Sequence, residues 1–202
     1  MTAPSPLAAL LAEGAVHVSI DMQRLFAEGG EWHVPTLGAI TANGVALAAA
    51  MPTLFARFVV PETPEHATGR WKHYYRRWHM LTGEKLEPGM LDLVAPLAAL
   101  APPGAVFDKP TYSAFEVPAF CAALAATGVE VIVVSGVETD VCVLATVLDA
   151  LDRGYHVVVA ADAMTSSSLP AHEATIAHVF PRFDVQVDIA DTAAIVAALP
   201  PR

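Results

Sequence analysis

The chain has 202 residues, 54% of them hydrophobic and 16% charged, with a formal net charge of −10 at pH 7 and a pI near 5.1. This apolar content excludes a disordered chain, and the acidity excludes any general affinity for nucleic acid or anionic membrane, because phosphate binding needs clustered Lys and Arg. The length fits one large α/β domain spanning 1–202, although length alone also admits two small ones.

The N-terminal "MTAPSPLAALLAEGAVH" has no basic flank and only a short apolar run, and no span of about 20 apolar residues follows anywhere. With only two cysteines, Cys121 and Cys142, a disulfide framework is not expected. A cytoplasmic protein with no membrane partner is the expectation.

In chain order, β-rich apolar runs occur at "AVHVSI" before Asp21, "LFARFVV" from Leu54, "AVFDK" from Ala105, "VEVIVVSG" from Val129, "YHVVVAAD" from Tyr155 and "FDVQVDI" from Phe183. Between them lie alanine-rich segments at helical spacing, "LGAITANGVALAAA", "VPAFCAALAATG", "VLATVLDALDRG" and "AHEATIAHVF". Alternating strands and helices predict a three-layer, doubly wound α/β/α fold with a mainly parallel six-stranded sheet. Residues 61–88 interrupt the alternation. Their Trp and Tyr content, with the basic "GRWKHYYRRWH", predicts an ordered lid or a contact surface rather than a linker.

Ligands of such sheets bind outside the carboxyl ends of the strands. Three of those ends carry reactive groups: strand one runs into Asp21, strand three into Lys109, and strand four into a turn followed by Cys142. A free thiol is mostly protonated at neutral pH, so a nucleophilic cysteine needs a base or a positive potential. If Thr139 or Asp140 caps the helix running to Arg153, Cys142 sits in its first turn, where helix dipole and Lys109 both favour thiolate. Cys142 is then expected to react with iodoacetamide faster than Cys121 near pH 6.5. Asp21 would accept the thiol proton and return it to a leaving amine. Taken singly, each residue has a plainer reading: a cysteine in an apolar helix is usually core, as Cys121 is taken to be, and a lone Asp or Lys usually caps or solvates. Their coincidence at three strand ends favours chemistry. Leu148 stands where a Cys-dependent phosphatase would need an arginine, and no G-x-S-x-G, G-x-G-x-x-G or G-x-x-x-x-G-K stretch occurs.

"SIDMQRLF", "FDKPTYSAF" and "SGVETDVCVLATVLDALDRGYHVVVAADAMTSSS" together resemble the isochorismatase-like cysteine hydrolases, a superfamily that includes nicotinamidases, carbamoylsarcosine amidases and ureidoacrylate hydrolases. The resemblance implies a catalytic triad of Asp21, Lys109 and Cys142. It also implies a cis peptide between Val137 and Glu138, and an oxyanion hole formed by the backbone N–H groups of Glu138 and Cys142. It implies a small-molecule substrate, no cofactor, and assembly as a homo-oligomer, dimer or tetramer. Phe26, Tyr112 and Phe115 match aromatic wall positions of relatives.

Trp71, Tyr74, Tyr75 and Trp78 are candidates to close over the substrate, or to pack within or between subunits. Arg57, late in strand two, is a candidate for holding a substrate carboxylate or an internal ion pair. Nicotinamidases carry an Asp-x-His metal motif after the second strand. "RFVVPETPEHATGRW" lacks it, and His66, His73 and His79 are not spaced to share one helical face, so no metal is expected. The expected reaction is hydrolysis of a C–N bond in a small amide, ureide or carbamoyl compound through a thioester. The alternatives are a vinyl-ether hydrolase working through Asp21, and a non-catalytic binding or scaffold member.

Overall fold

The computed structural model describes residues 5–201. After a short N-terminal helix α1 (Pro6–Leu11), the chain enters β1 (Ala15–Ile20) and a one-turn helix α2 (Arg24–Ala27), then the long helix α3 (Leu37–Ala50) and β2 (Thr53–Phe58). Helices α4 (Trp71–Arg77) and α5 (Ala95–Ala98) precede β3 (Val106–Lys109), and α6 (Pro118–Thr127) leads to β4 (Val131–Val137). Helix α7 (Leu144–Asp152), β5 (His156–Thr165), α8 (Leu169–Ala174), β6 (Val187–Ala190) and α9 (Thr192–Ala198) complete the order. The six strands form one sheet in the order β3-β2-β1-β4-β5-β6, and every pairing is parallel.

Alternate side chains of β4 enter opposite layers, as strand geometry requires. Ile132 and Val134 pack with Phe120, Leu124, Val147 and Leu151 from α6 and α7. Val131 and Val133 pack with Leu11, Leu47 and Ile195 from α1, α3 and α9. All seven residues of β4 are buried, which accounts for its unbroken apolar run. Helix α3 covers the fourteen residues its composition predicts, and Gly128 closes α6 in the left-handed conformation at φ 70°.

Three expectations need correction. Neither Thr139 nor Asp140 caps a helix: residues Thr139–Val143 form a wide turn running directly into α7, with Glu138 before it and no side-chain cap. The last helical segment breaks after Ala174 into the turns Thr175–Val179 and Phe180–Phe183. As a result β6 begins at Val187, four residues later than its sequence pattern suggests. Pro181 supports this, since it cannot continue a regular helix.

The strand order reverses between β1 and β4, which are direct neighbours. The crevice at such a switch point is where open α/β sheets place ligands. Gly136 lets the two strands meet there: its φ is 116°, and a Cβ would overlap the Ile20 carbonyl oxygen. The next peptide, Val137–Glu138, is cis. Residues 61–88 fold as a closed excursion, its ends joined by Gly83 N–H donating to the Pro61 carbonyl at 3.0 Å and Glu84 N–H to that of Glu62 at 3.1 Å. Among the described residues, no helix is long and apolar enough to cross a membrane.

Candidate active site

Asp21 follows β1 directly and adopts φ 53°, the sole positive φ of a non-glycine residue among those described. Aspartate tolerates this left-handed conformation better than most residues, but it is still a strained one. The backbone holds it from both sides: Asp21 N–H donates to the Ala56 carbonyl at 2.9 Å, and Gln23 N–H donates to the Asp21 carbonyl at 2.8 Å. Gln23 is itself fully buried. Its amide donates to the carbonyls of Phe58 (2.9 Å) and Leu91 (2.8 Å) and accepts from Phe58 N–H (2.7 Å). That clamp fixes the carboxyl ends of β1 and β2 against each other.

Lys109 ends β3, two strands away, in register with Phe58 of β2. Its ammonium passes 4.8 Å from the centre of the Phe58 ring and donates to Asp21 Oδ2 at 2.8 Å and to the Thr111 carbonyl at 3.2 Å. Both side chains are fully buried. The second carboxylate oxygen, Asp21 Oδ1, is buried without a donor.

Cys142 lies in the turn before α7 and is 7% exposed. Thr146 anchors it by donating to the Cys142 carbonyl at 2.8 Å while accepting from Ala114 N–H at 3.2 Å, which ties the cysteine turn to the segment after Lys109. Thr139 holds the start of the turn by donating to the Thr165 carbonyl at 3.1 Å and pairing with His172 Nδ1 at 2.8 Å. The thiol lies against both Asp21 and Lys109.

Burial pushes the Cys142 thiol well up, the Asp21 carboxylate adds to that shift, and Lys109 opposes it. The depressed thiol pKa anticipated from the helix terminus and Lys109 is therefore corrected: desolvation and the adjacent carboxylate outweigh them. Burial likewise raises Asp21, against the pull of Lys109. Lys109 is raised because Asp21 and Cys142 outweigh the opposing burial. Burial and the neighbouring carboxyl group thus hold the Cys142 thiol toward its protonated form beside the Asp21–Lys109 pair.

A cavity of about 360 Å³ opens onto the thiol. Phe26, Tyr112, Glu138 and Cys142 line it as anticipated, and so do Tyr74 and Trp78 of the aromatic excursion. Four of the candidates lie elsewhere. Arg57 is fixed by Asp108, its register partner on β3, through contacts of 2.6 and 2.9 Å, and it faces a separate surface cleft. Phe115 is buried against Phe120 and Tyr155, with Arg153 over its ring. Trp71 and Tyr75 stack on each other, and both line a neighbouring cavity.

Glu31, Trp32, His33, Phe58, Val141 and Ser167 complete the walls and were not anticipated. "EWH" at 31–33 stands in the loop between α2 and α3, where a tryptophan in the connection that follows the strand-end Asp21 was the available signal. His66, His73 and His79 are dispersed along the excursion, and among the described residues no group of three His, Cys, Asp or Glu side chains is placed to hold a metal.

A doubly wound parallel sheet with Asp21, Lys109 and a buried thiol gathered at its switch-point crevice defines an α/β protein with a candidate catalytic site. The chain belongs to the isochorismatase family, whose domain model matches residues 15–191. It is 30% identical over 189 residues to ureidoacrylate amidohydrolase RutB of Methylorubrum extorquens, covering 83% of this chain and 76% of that one. The fold is shared with a cysteine hydrolase from Pseudomonas syringae pv. phaseolicola (TM-score 0.72, 22% identity, 98% and 95% of the two chains). It is also shared with N-carbamoylsarcosine amidase from Thermoplasma acidophilum (TM-score 0.66, 21% identity, 88% and 96%).

Proposed function

We propose that this chain is a cysteine-dependent hydrolase that cleaves the C–N bond of a small amide, ureide or carbamoyl compound. The observation that carries the reading is the Cys142 thiol, set at the floor of an aromatic cavity beside a buried Asp21–Lys109 pair. The family and its amidohydrolase relative support the same bond type.

In the forward half-reaction, the thiol proton passes to Asp21 as sulfur adds to the substrate carbonyl carbon. Asp21 is suited to this because one carboxylate oxygen has no donor and burial lifts its basicity. Lys109 keeps it ionised beforehand and compensates charge while the thiolate forms. The oxyanion of the tetrahedral intermediate is assigned to the backbone N–H groups of Glu138 and Cys142. Asp21 then hands its proton to the leaving nitrogen, the C–N bond breaks, and a thioester on Cys142 remains.

In the second half-reaction Asp21 takes a proton from water, whose oxygen adds to the thioester carbon. Cys142 leaves as thiol with that proton, and the acid product departs. Both cysteines are free thiols, which suits the reducing cytoplasm, the setting we assign.

Ammonia release from a panel of primary amides, ureides and carbamoyl compounds tests the reading. Turnover of at least one compound, lost in Cys142→Ala, is expected. A panel without turnover by folded wild-type protein would leave the scaffold reading as the better one.

A further inference from the structure

The cavity over Cys142 has an unusual balance of side chains. Six of its walls are aromatic: Phe26, Trp32, Phe58, Tyr74, Trp78 and Tyr112. Trp32 is the hub. Its ring centre lies 6.2 Å from that of Phe26, 5.7 Å from Phe58, 5.8 Å from Tyr74 and 6.3 Å from Trp78. The charged lining is acidic, from Glu31 and Glu138, with His33 beside them, and among the described residues no Lys or Arg lines the cavity.

One oxygen of Glu138 is held by the Ser167 N–H at 2.8 Å, so that carboxylate is fixed in place. Burial raises the pKa of both Tyr74 and Tyr112, so their phenols stay neutral at physiological pH. Of the basic residues of the excursion, Arg76 and Lys72 pair with Glu65, Arg77 lies over Trp78, 5.2 Å from its ring centre, and Arg70 lines an adjoining cleft with Trp71, Tyr74 and Tyr112; none of the four lines the cavity over Cys142. Arg57, the guanidinium best placed on sequence grounds to meet a substrate carboxylate, is paired with Asp108 at another cleft.

Aromatic faces arranged around a cavity attract cations through their ring quadrupoles, most effectively alkylated ammonium groups with little hydration to lose. Carboxylates in the same walls add attraction for a positive charge and repulsion for a negative one. A chain of net charge −10 also steers cations toward itself. We infer that the substrate is a small amide carrying a quaternary or alkylated ammonium group, held in the aromatic cage of Trp32, Tyr74 and Trp78 with Glu31 at the rim. This rests on reading Cys142 as the nucleophile. It separates the chain from enzymes whose substrates carry a carboxylate, since among the described residues no Lys or Arg lines this cavity, Arg70 lying in the adjoining cleft.

Three primary amides test the inference: trimethylammonioacetamide, its uncharged isostere in which a quaternary carbon replaces the nitrogen, and the smaller anion malonamate. Binding is measured by calorimetry on Cys142→Ala, and turnover by ammonia release with the wild type. The cation is expected to bind at least about tenfold more tightly than the neutral isostere, with malonamate weakest. That preference should shrink severalfold in Trp32→Leu and also in Glu31→Gln, a change at an exposed position that leaves the fold intact. Equal binding of cation and neutral isostere, preference for malonamate, or no binding of the cation at millimolar concentration would overturn the cage. Tight cation binding without ammonia release by the wild type would instead sink the hydrolase reading and leave the cage standing.

Discussion

Lys109 Nζ donates to Asp21 Oδ2 at 2.8 Å with both side chains removed from solvent, although they end strands separated by β2. Removing one member of such a pair strands the other as an uncompensated buried charge, which costs about 3 kcal/mol or more. Lys109→Met should therefore lower unfolding free energy by about that amount at pH 7. The loss should be smaller at pH 5, because the isolated carboxyl, pushed further up by burial, takes a proton more easily there. Urea unfolding at both pH values checks this. A loss that grows toward acid would show that the pair does not hold Asp21 ionised.

Asp21 also sets the state of the thiol. Its carboxylate raises Cys142, while Lys109 opposes that shift. Asp21→Asn removes the raising charge and keeps the lowering one, so thiolate becomes easier to form as turnover is lost. Iodoacetamide labelling of Cys142 at pH 7 should accordingly be faster in Asp21→Asn than in wild type. Slower labelling in the variant would mean that Asp21 activates the resting thiol rather than holding it protonated.

His17 is fully buried, with Nε2 2.7 Å from Ser135 Oγ and Nδ1 3.1 Å from Thr53 Oγ1. Burial holds its pKa down to about 3, against 6.5 in the unfolded chain. The unfolded state therefore binds a proton that the folded state refuses between these values. The contribution of His17 is fully present above pH 6.5 and is lost as pH falls toward 3, at about 1.4 kcal/mol per pH unit. In His17→Gln, stability measured from pH 6 down to pH 4 should fall less steeply than in wild type by about that slope. Parallel curves would contradict the account.

Gly136 makes the switch point possible, since a Cβ there would meet the Ile20 backbone rather than a flexible side chain. Gly136→Ala should cost about 3 kcal/mol or more, from both the overlap and the φ of 116°. Thermal unfolding of the variant beside Gly128→Ala, whose Cβ would meet nothing within 4 Å, separates the clash from the loss of backbone freedom. Similar losses in the two variants would deny the clash.

Much of this was legible in the sequence because it is local. The β-rich runs and α3 follow from side-chain periodicity, and the strand-end positions of Asp21 and Lys109 follow from knowing where strands stop. The cavity walls were less legible. Phe115 and Tyr112 are three residues apart, yet one packs on Phe120 under α7 and the other faces the thiol, a choice made by tertiary packing. Trp32 enters through a loop without periodicity. Arg57 was ambiguous until the register of β2 with β3 placed Asp108 beside it. The thiol pKa was misjudged because proximity to a helix terminus is visible in a sequence, whereas the depth of burial is not.

The central claim is that sulfur of Cys142 carries the acyl group during turnover. Acid-quenched mass spectrometry of the working enzyme, with a substrate found in the amide panel, tests it directly. The account predicts a mass gain equal to the acyl moiety on the peptide containing Cys142, absent from Cys142→Ala, whose turnover falls by at least about 10³-fold. An unmodified Cys142 peptide, together with near wild-type turnover in Cys142→Ala and none in Asp21→Asn, would contradict it and favour acid-catalysed cleavage of a vinyl ether on the same scaffold.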